Sequence, residues 1–223
     1  MHHPPVGSPA RSPAPRTAAR AAAVLALCSA LLLALVAVRW PPLIGVDGDI
    51  SRTTHHWALD EPGLTRLCRI LTDWVWDPLT MRLLSAVAVV WLAWRRSAWW
   101  TALWLAAAVA AGLLLQQGLK AAVDRPRPVW RDPVDSAHYA AFPSGHAMTA
   151  TLVCGLLLWL LHRYGAGRAL WRTALTLALV SVVGVGLTRV WLGVHWPSDV
   201  VGGWLLGAAT AALAVLVHRR RRP

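Results

Sequence analysis

Six stretches of this chain stay apolar for about 17 residues or more, enough for a helix to cross the ~30 Å hydrocarbon core of a bilayer. They fall at 21–38, 79–94, 98–117, 147–162, 172–187 and 200–217. Inside lipid, backbone N–H and C=O groups must be satisfied within the segment, which leaves the α-helix as the form such runs can take. Charged residues make up 14% of the chain, against ~25% in soluble domains. The pattern predicts an all-α integral membrane protein with six transmembrane helices in one domain. Trp40, Trp74, Trp76, Trp94, Trp99, Trp100, Trp171, Trp191, Trp196 and Trp204 lie near span ends, as an interfacial aromatic belt would.

Charge orients the bundle. The formal net charge of +12 would by itself suit a nucleic-acid binder. If the N-terminus is cytoplasmic, the inside segments hold Arg11, Arg16, Arg20, Arg95, Arg96, Arg163, Arg168, Arg172 and Arg219 to Arg222, twelve basic residues and no acid. The outside segments hold the other ten basic residues and all ten acids. Basic excess confined to one side is the positive-inside pattern. Both termini are therefore expected in the cytoplasm. The C-terminal arginine run reads as a topology anchor, and no nucleic-acid partner is expected.

Residues 1–20, rich in Pro, Ser, Ala and Arg, are expected to form a disordered basic tail. A membrane domain at 21–217 and a second basic tail at 218–223 follow. No small-residue cleavage site follows the first span, which reads as a retained helix. Pro41-Pro42 is expected to stop it, opening a long polar outer connection at 39–78. Within that connection Leu64, Leu67, Cys68, Leu71 and Trp74 recur at helical spacing between Arg66, Arg69 and Asp73. This predicts an amphipathic helix at the outer interface. Cys28, Cys68 and Cys154 show neither metal-ligand spacing nor a disulfide framework, and no metal or other cofactor is expected.

Three short segments carry chemistry. Lys120 to Pro128 reads Lys-Ala-Ala-Val-Asp-Arg-Pro-Arg-Pro, residues 143–146 read Pro-Ser-Gly-His, and Thr188-Arg189 precedes His195 and Asp199. The first ends the third span, the second opens the fourth, and the third joins the fifth to the sixth. All three are thus expected on the outer face, where they can form one site. Lys120, Arg127 and Arg189 suit a phosphate clamp, because a guanidinium fork matches phosphate oxygens and lysine adds a point charge. Arg125 is set aside as a partner for Asp124 or Asp132. Gly145 lets an anion approach a helix N-terminus closely. Ser144 either donates its hydroxyl to that anion or caps the helix.

His195 and His146 can divide the work of nucleophile and proton donor. Asp199 lies four residues past His195, in the first turn of a helix that Pro197 begins. It can orient the His195 ring and stabilise the imidazolium. His195 is then the nucleophile and His146 the general acid. His55, His56, His138, His162 and His218 read as ordinary surface histidines.

The three segments together resemble the tripartite signature of the type-2 phosphatidic acid phosphatase superfamily. That superfamily covers membrane lipid phosphatases, undecaprenyl-pyrophosphate phosphatases, glucose-6-phosphatases and vanadium haloperoxidases. The resemblance spans roughly residues 45–217. It implies that Lys120, Arg127, Ser144, Gly145 and Arg189 hold the phosphoryl group, that His195 forms a phosphohistidine, and that His146 protonates the leaving group without a metal. Thr188 stands where the family usually has Ser. The expected function is a metal-independent lipid phosphatase at the outer face of a cytoplasmic membrane, with a membrane lipid phosphate and the surrounding bilayer lipids as its partners. Phosphatidic acid, phosphatidylglycerol phosphate and undecaprenyl pyrophosphate all fit. A vanadate-dependent haloperoxidase would reuse the clamp but is typically soluble. A non-catalytic lipid-binding or transport protein would need the cations without His146, His195 and Asp199.

Overall fold

The computed structural model describes residues 15–221, and among them there is no β-strand. The elements in chain order are α1 (Pro15–Ala37), α2 (Pro41–Asp60), α3 (Pro62–Ile70), a π-helical turn (Leu71–Val75), α4 (Pro78–Trp94), α5 (Trp99–Val123), α6 (Gly145–Arg163), α7 (Arg168–Trp191) and α8 (Pro197–Arg221). Six helical segments are long and apolar enough to cross a membrane: Arg16–Ala37, Pro62–Trp94, Trp99–Val123, Gly145–Arg163, Arg168–Trp191 and Pro197–Arg221. Each contains one of the six apolar runs or nearly all of it.

The boundaries differ from the sequence expectation at both ends. Helix α1 begins at Pro15, so the end of the expected disordered tail is helical. Proline fits a first turn, and the Ala- and Arg-rich stretch after it has high helix propensity. The rest of that tail lies outside the described residues. At the other end α8 runs through Arg221, taking in most of the expected basic tail. Arginines in a last turn complement the negative end of the helix dipole.

The 39–78 connection is more helical than its polarity suggests. Pro41 and Pro42 do not only end α1; they occupy the first turn of α2. The buried residues of α2 are Asp47, Ser51, His55 and Ala58. Their spacing is helical, but the stripe is polar, so a search for apolar periodicity passes over it. The amphipathic segment does form a helix, α3, continued by the π-helical turn. Thr65, Cys68 and Thr72 face inward there, while Leu64, Leu67 and Trp74 are exposed. Trp76 turns inward and packs with Met81, Ala150, Val153 and Val185.

Helices α6 and α8 form the centre, with α1 also against α8 and α7 against α6. The α6–α8 approach is close because Gly203 and Gly207 lie one turn apart on the facing side of α8. A Cβ at Gly203 would sit 2.8 Å from the Ser144 carbonyl oxygen, and one at Gly207 2.6 Å from that of Met148. Small residues at this spacing let helix backbones meet in an apolar solvent, where dispersion rather than water exclusion drives association. Large apolar side chains such as Leu27, Leu31, Val87, Leu114 and Leu177 point outward, as a lipid-facing surface requires. The arrangement gathers the end of α5, the start of α6, the end of α7 and the start of α8 at one end of the bundle.

Candidate active site

Each of the three segments sits where a helix starts or stops. Lys120 lies in the last turn of α5, which closes at Asp124 in the left-handed conformation (φ 42°, ψ 45°). Ser144 is the N-cap of α6, and its backbone N–H donates to the Asp199 carbonyl at 2.9 Å. Arg189 lies in the last turn of α7. The chain then turns through Gly193 at φ 67°, a region glycine enters without a Cβ clash. A Cβ there would also meet the Trp130 indole at 2.5 Å. His195 follows, and Pro197 opens α8.

The sequence-predicted residues converge. His195 is 2% exposed and Asp199 0%. His195 Nδ1 faces Asp199 Oδ2 at 3.4 Å, and its Nε2 lies 3.1 Å from Arg127 Nη1. Arg127 spends further donors on carbonyl oxygens: Nε on Tyr139 at 2.8 Å, Nη1 on Val194 at 2.5 Å, and Nη2 on His138 at 3.1 Å. Lys120 Nζ donates to the Ala140 carbonyl. Three consecutive carbonyls of the 124–144 connection, those of His138, Tyr139 and Ala140, thus engage Arg127 and Lys120. His146, at the start of α6, is within electrostatic range of Arg189, His195, Arg127 and Lys120.

Two buried donors lack a protein partner. The Ser144 hydroxyl makes no cap hydrogen bond, and neither Ser144 Oγ nor Arg189 Nε has a hydrogen-bond partner. Arg189 is 4% exposed. Its remaining contacts are long, 3.4 Å from Nη1 to Thr72 Oγ1 and 3.9 Å to Asp135 Oδ2. Buried polar groups are normally paired, so an unpaired hydroxyl and an unpaired guanidinium N–H are donors free for an anion, as is the start of a helix. A Cβ at Gly145 would lie 2.8 Å from Nε2 at the end of the Gln116 side chain, which is buried in α5. The Thr188 hydroxyl is turned away, donating to the Val185 carbonyl at 2.8 Å.

The electrostatics favour a neutral imidazole at His195. Burial first, then the fields of Arg127, Arg189 and Lys120, hold the His195 imidazole well below its usual range, with the Ala141 carbonyl opposing them. Arg127 is itself drawn down to about 10, by desolvation first and then by Arg189, and stays charged at neutral pH. A neutral imidazole has a free electron pair on one ring nitrogen. Among the described residues no group of three or more His, Cys, Asp or Glu is placed to hold a metal ion.

Sequence reasoning missed two residues. Arg125 does not pair with Asp124 or Asp132. It is buried, and its Nη1 donates to Asp199 Oδ1 at 2.6 Å and to Ser198 Oγ at 2.7 Å. Its Nη2 donates to Asp47 Oδ2 at 2.7 Å. Asp47, from α2, carried no motif. Of the histidines set aside, His55 and His218 are buried, and His55 stacks on Trp130 with ring centroids 4.1 Å apart.

Fold and site together define a helical membrane protein that gathers cations, a helix N-terminus and two histidines at one end of its bundle. The PAP2 superfamily model matches residues 101–223. The decaprenylphosphoryl-5-phosphoribose phosphatase of Mycobacterium tuberculosis (strain ATCC 25618 / H37Rv) is 34% identical over 162 residues, 70% of this chain and 81% of that protein. Shorter matches reach the phosphatidylglycerophosphatase B of Bacillus subtilis (strain 168), 36% identical over 42% of this chain and 46% of the relative. Another reaches an undecaprenyl-diphosphatase of Sulfolobus acidocaldarius, 35% identical over 35% of this chain and 34% of the relative. In structure the chain is similar to the transmembrane PAP2 type phosphatidylglycerolphosphate phosphatase from Bacillus subtilis, with a TM-score of 0.69 and 24% identity over 89% of this chain and 96% of that one. The chain belongs to the PAP2 superfamily, and the relatives just named carry phosphatase names.

Proposed function

We propose that this protein is a metal-independent membrane lipid phosphatase that works through a phosphohistidine on His195. The observation that carries this reading is the His195 ring held between Asp199 on Nδ1 and Arg127 on Nε2, beside two unpaired buried donors. The phosphoryl group binds Lys120, Arg127 and Arg189 together with the Ser144 hydroxyl and the N–H groups that begin α6. His195 Nε2 attacks phosphorus, the ester P–O bond breaks, and His146 gives a proton to the departing oxygen. The P–N bond is then hydrolysed by water, with His146 taking a proton from that water and regenerating itself as the acid. Asp199 stabilises the imidazolium that forms while phosphorus is attached.

The substrate's tails stay in the bilayer while its headgroup enters the clamp. The Mycobacterium tuberculosis relative is named for decaprenylphosphoryl-5-phosphoribose, and others for phosphatidylglycerol phosphate and undecaprenyl diphosphate. All present a phosphate at the end of a lipid. The test is phosphate release by detergent-solubilised protein from a panel of phosphatidic acid, phosphatidylglycerol phosphate, undecaprenyl pyrophosphate and a polyprenyl-phosphoryl-pentose phosphate. Release from at least one is expected, and release from none would refute the reading.

The division of charge supports an orientation with both termini in the cytoplasm and the site on the outer face. The exposed Leu64 and Leu67 of α3 and Trp74 of the turn after it support an interfacial position for that segment. Accessibility labelling of a cysteine introduced at 135 tests the orientation, and labelling only from the cytoplasmic side would reverse it.

A further inference from the structure

We propose that Arg125 and Asp47 are positioning residues for the reaction: together they fix the Asp199 carboxylate so that one oxygen is left to orient His195. The proposal rests on the functional reading above and adds two residues to it.

Asp199 has no access to solvent, so protein groups alone decide which way its carboxylate points. Oδ1 takes a charge-assisted bond from Arg125 Nη1 at 2.6 Å. Oδ2 takes the Trp196 backbone N–H at 2.9 Å and faces His195 Nδ1 at 3.4 Å. The bond to Arg125 is the shorter and sets the plane of the group. Arg125 is fixed in turn. Its Nη2 is bound to Asp47 Oδ2 at 2.7 Å, and its guanidinium lies 5.7 Å over the Trp196 ring.

Asp47 closes the cluster from the other side. Its Oδ2 accepts from Ser198 Oγ at 2.5 Å and its Oδ1 from the Ser198 backbone N–H at 2.9 Å. A residue of α2 thereby caps the first turn of α8, the turn that carries Asp199. Three elements that enter the site separately are tied by one guanidinium between two carboxylates. Desolvating three charges is costly, and apolar side chains of like volume fill such a corner as well or better. What apolar residues could not do is hold a buried carboxylate in one orientation. Arg125 and Asp47 touch no substrate in this arrangement; they hold the carboxylate that in turn fixes the orientation and tautomer of the His195 ring.

The experiment compares Arg125→Met, Arg125→Lys, Asp199→Asn and the Arg125→Met/Asp199→Asn double variant. Each is purified in detergent and checked as a monodisperse peak, then assayed on the best lipid phosphate of the panel and for inhibition by vanadate. Arg125→Met is expected to lower kcat about 10- to 100-fold, with KM and vanadate inhibition changed less than about threefold, because the clamp is untouched. Arg125→Lys restores part of kcat. In the Asp199→Asn background Arg125→Met costs less than about threefold, since a positioning residue acts only through its target.

Losses that multiply in the double variant would overturn the proposal, as would an unchanged kcat in Arg125→Met. A matching rise in KM and vanadate constant would make Arg125 part of the clamp instead. NMR of protein labelled with 15N-histidine gives a readout independent of turnover. His195 is expected in the Nδ1–H form in the wild type and in mixed tautomers in Arg125→Met, and an unaltered tautomer would also overturn the proposal. If the wild type hydrolyses none of the panel, the functional reading fails, and the tautomer measurement still decides the role of Arg125. Should Arg125→Met not fold, Arg125→Lys and Asp47→Asn carry the same comparison.

Discussion

Arg127 Nη1 stands 3.1 Å from His195 Nε2. A guanidinium can only donate, so Nε2 is the acceptor and the ring proton belongs on Nδ1, toward Asp199. The electron pair proposed to attack phosphorus is therefore occupied by a cation of the proposed clamp. Phosphate oxygens compete for that same guanidinium, so substrate binding would draw Arg127 from Nε2 and uncover the nucleophile in one motion. The proposed clamp and the proposed nucleophile are coupled by this contact.

The two histidines should separate by leaving group. His195→Ala is expected to abolish turnover on every substrate. His146→Ala should be ~10²–10⁴-fold slower on an alkyl phosphate and recover much of that loss on a nitrophenyl phosphate, whose leaving group departs as a stable anion. Rescue of His195→Ala instead would reverse the roles. The P–N bond of a phosphohistidine is labile in acid and survives in base, so an alkaline quench should trap the phosphoenzyme in wild type and not in His195→Ala.

The positive charge offered to the proposed phosphate comes from Lys120, Arg127 and Arg189. Phosphate release is expected to continue in excess chelator, and vanadate, a mimic of five-coordinate phosphorus, to inhibit. Activity lost in chelator and regained with a divalent ion would contradict the mechanism.

The pH dependence of stability follows from His195, whose imidazole is held well below its usual value near 6.5 by burial and by the three cations. Above about 6.5 the ring is neutral in both folded and unfolded chains. Below it the unfolded chain takes a proton that the folded site refuses, so stability falls with pH by up to ~1.4 kcal/mol per unit until the depressed folded value is reached. Thermal melts between pH 7 and 5 should fall more steeply for wild type than for His195→Gln, and vanadate should lessen the difference by offsetting the cations. Equal slopes would assign the dependence to other groups.

Gly207 tests the central packing. A methyl there would lie 2.6 Å from the Met148 carbonyl oxygen and 2.8 Å from Thr151 Cβ, and backbone cannot yield as a flexible side chain does. Gly207→Ala is expected to destabilise by ~1–3 kcal/mol and to lower activity by shifting α8, which carries Asp199. Gly118→Ala, inside α5 with nothing within 4 Å of the added Cβ, should leave activity unchanged and stability no lower, since alanine is the better helix former. Thermal melts and turnover of the two variants check this.

Much of this protein was legible in the chain itself. The six spans depend on apolar length, a local property that a bilayer converts directly into helix. The placement of Lys120, Arg127, Ser144, His146, Arg189, His195 and Asp199 at span ends on one side follows from counting crossings. Helix α2 was not legible, because its inward stripe of Asp47, Ser51, His55 and Ala58 lacks the apolar period that marks a buried face. Nor was Arg125: its partner Asp47 lies 78 residues away, beyond any spacing rule, while Asp124 and Asp132 stood nearer in sequence. Local chemistry determined which residues could form the site. Only the packing of α2, α5 and α8 decided which buried charge would face which, because in a low-dielectric interior each charge must find its partner in space rather than along the chain.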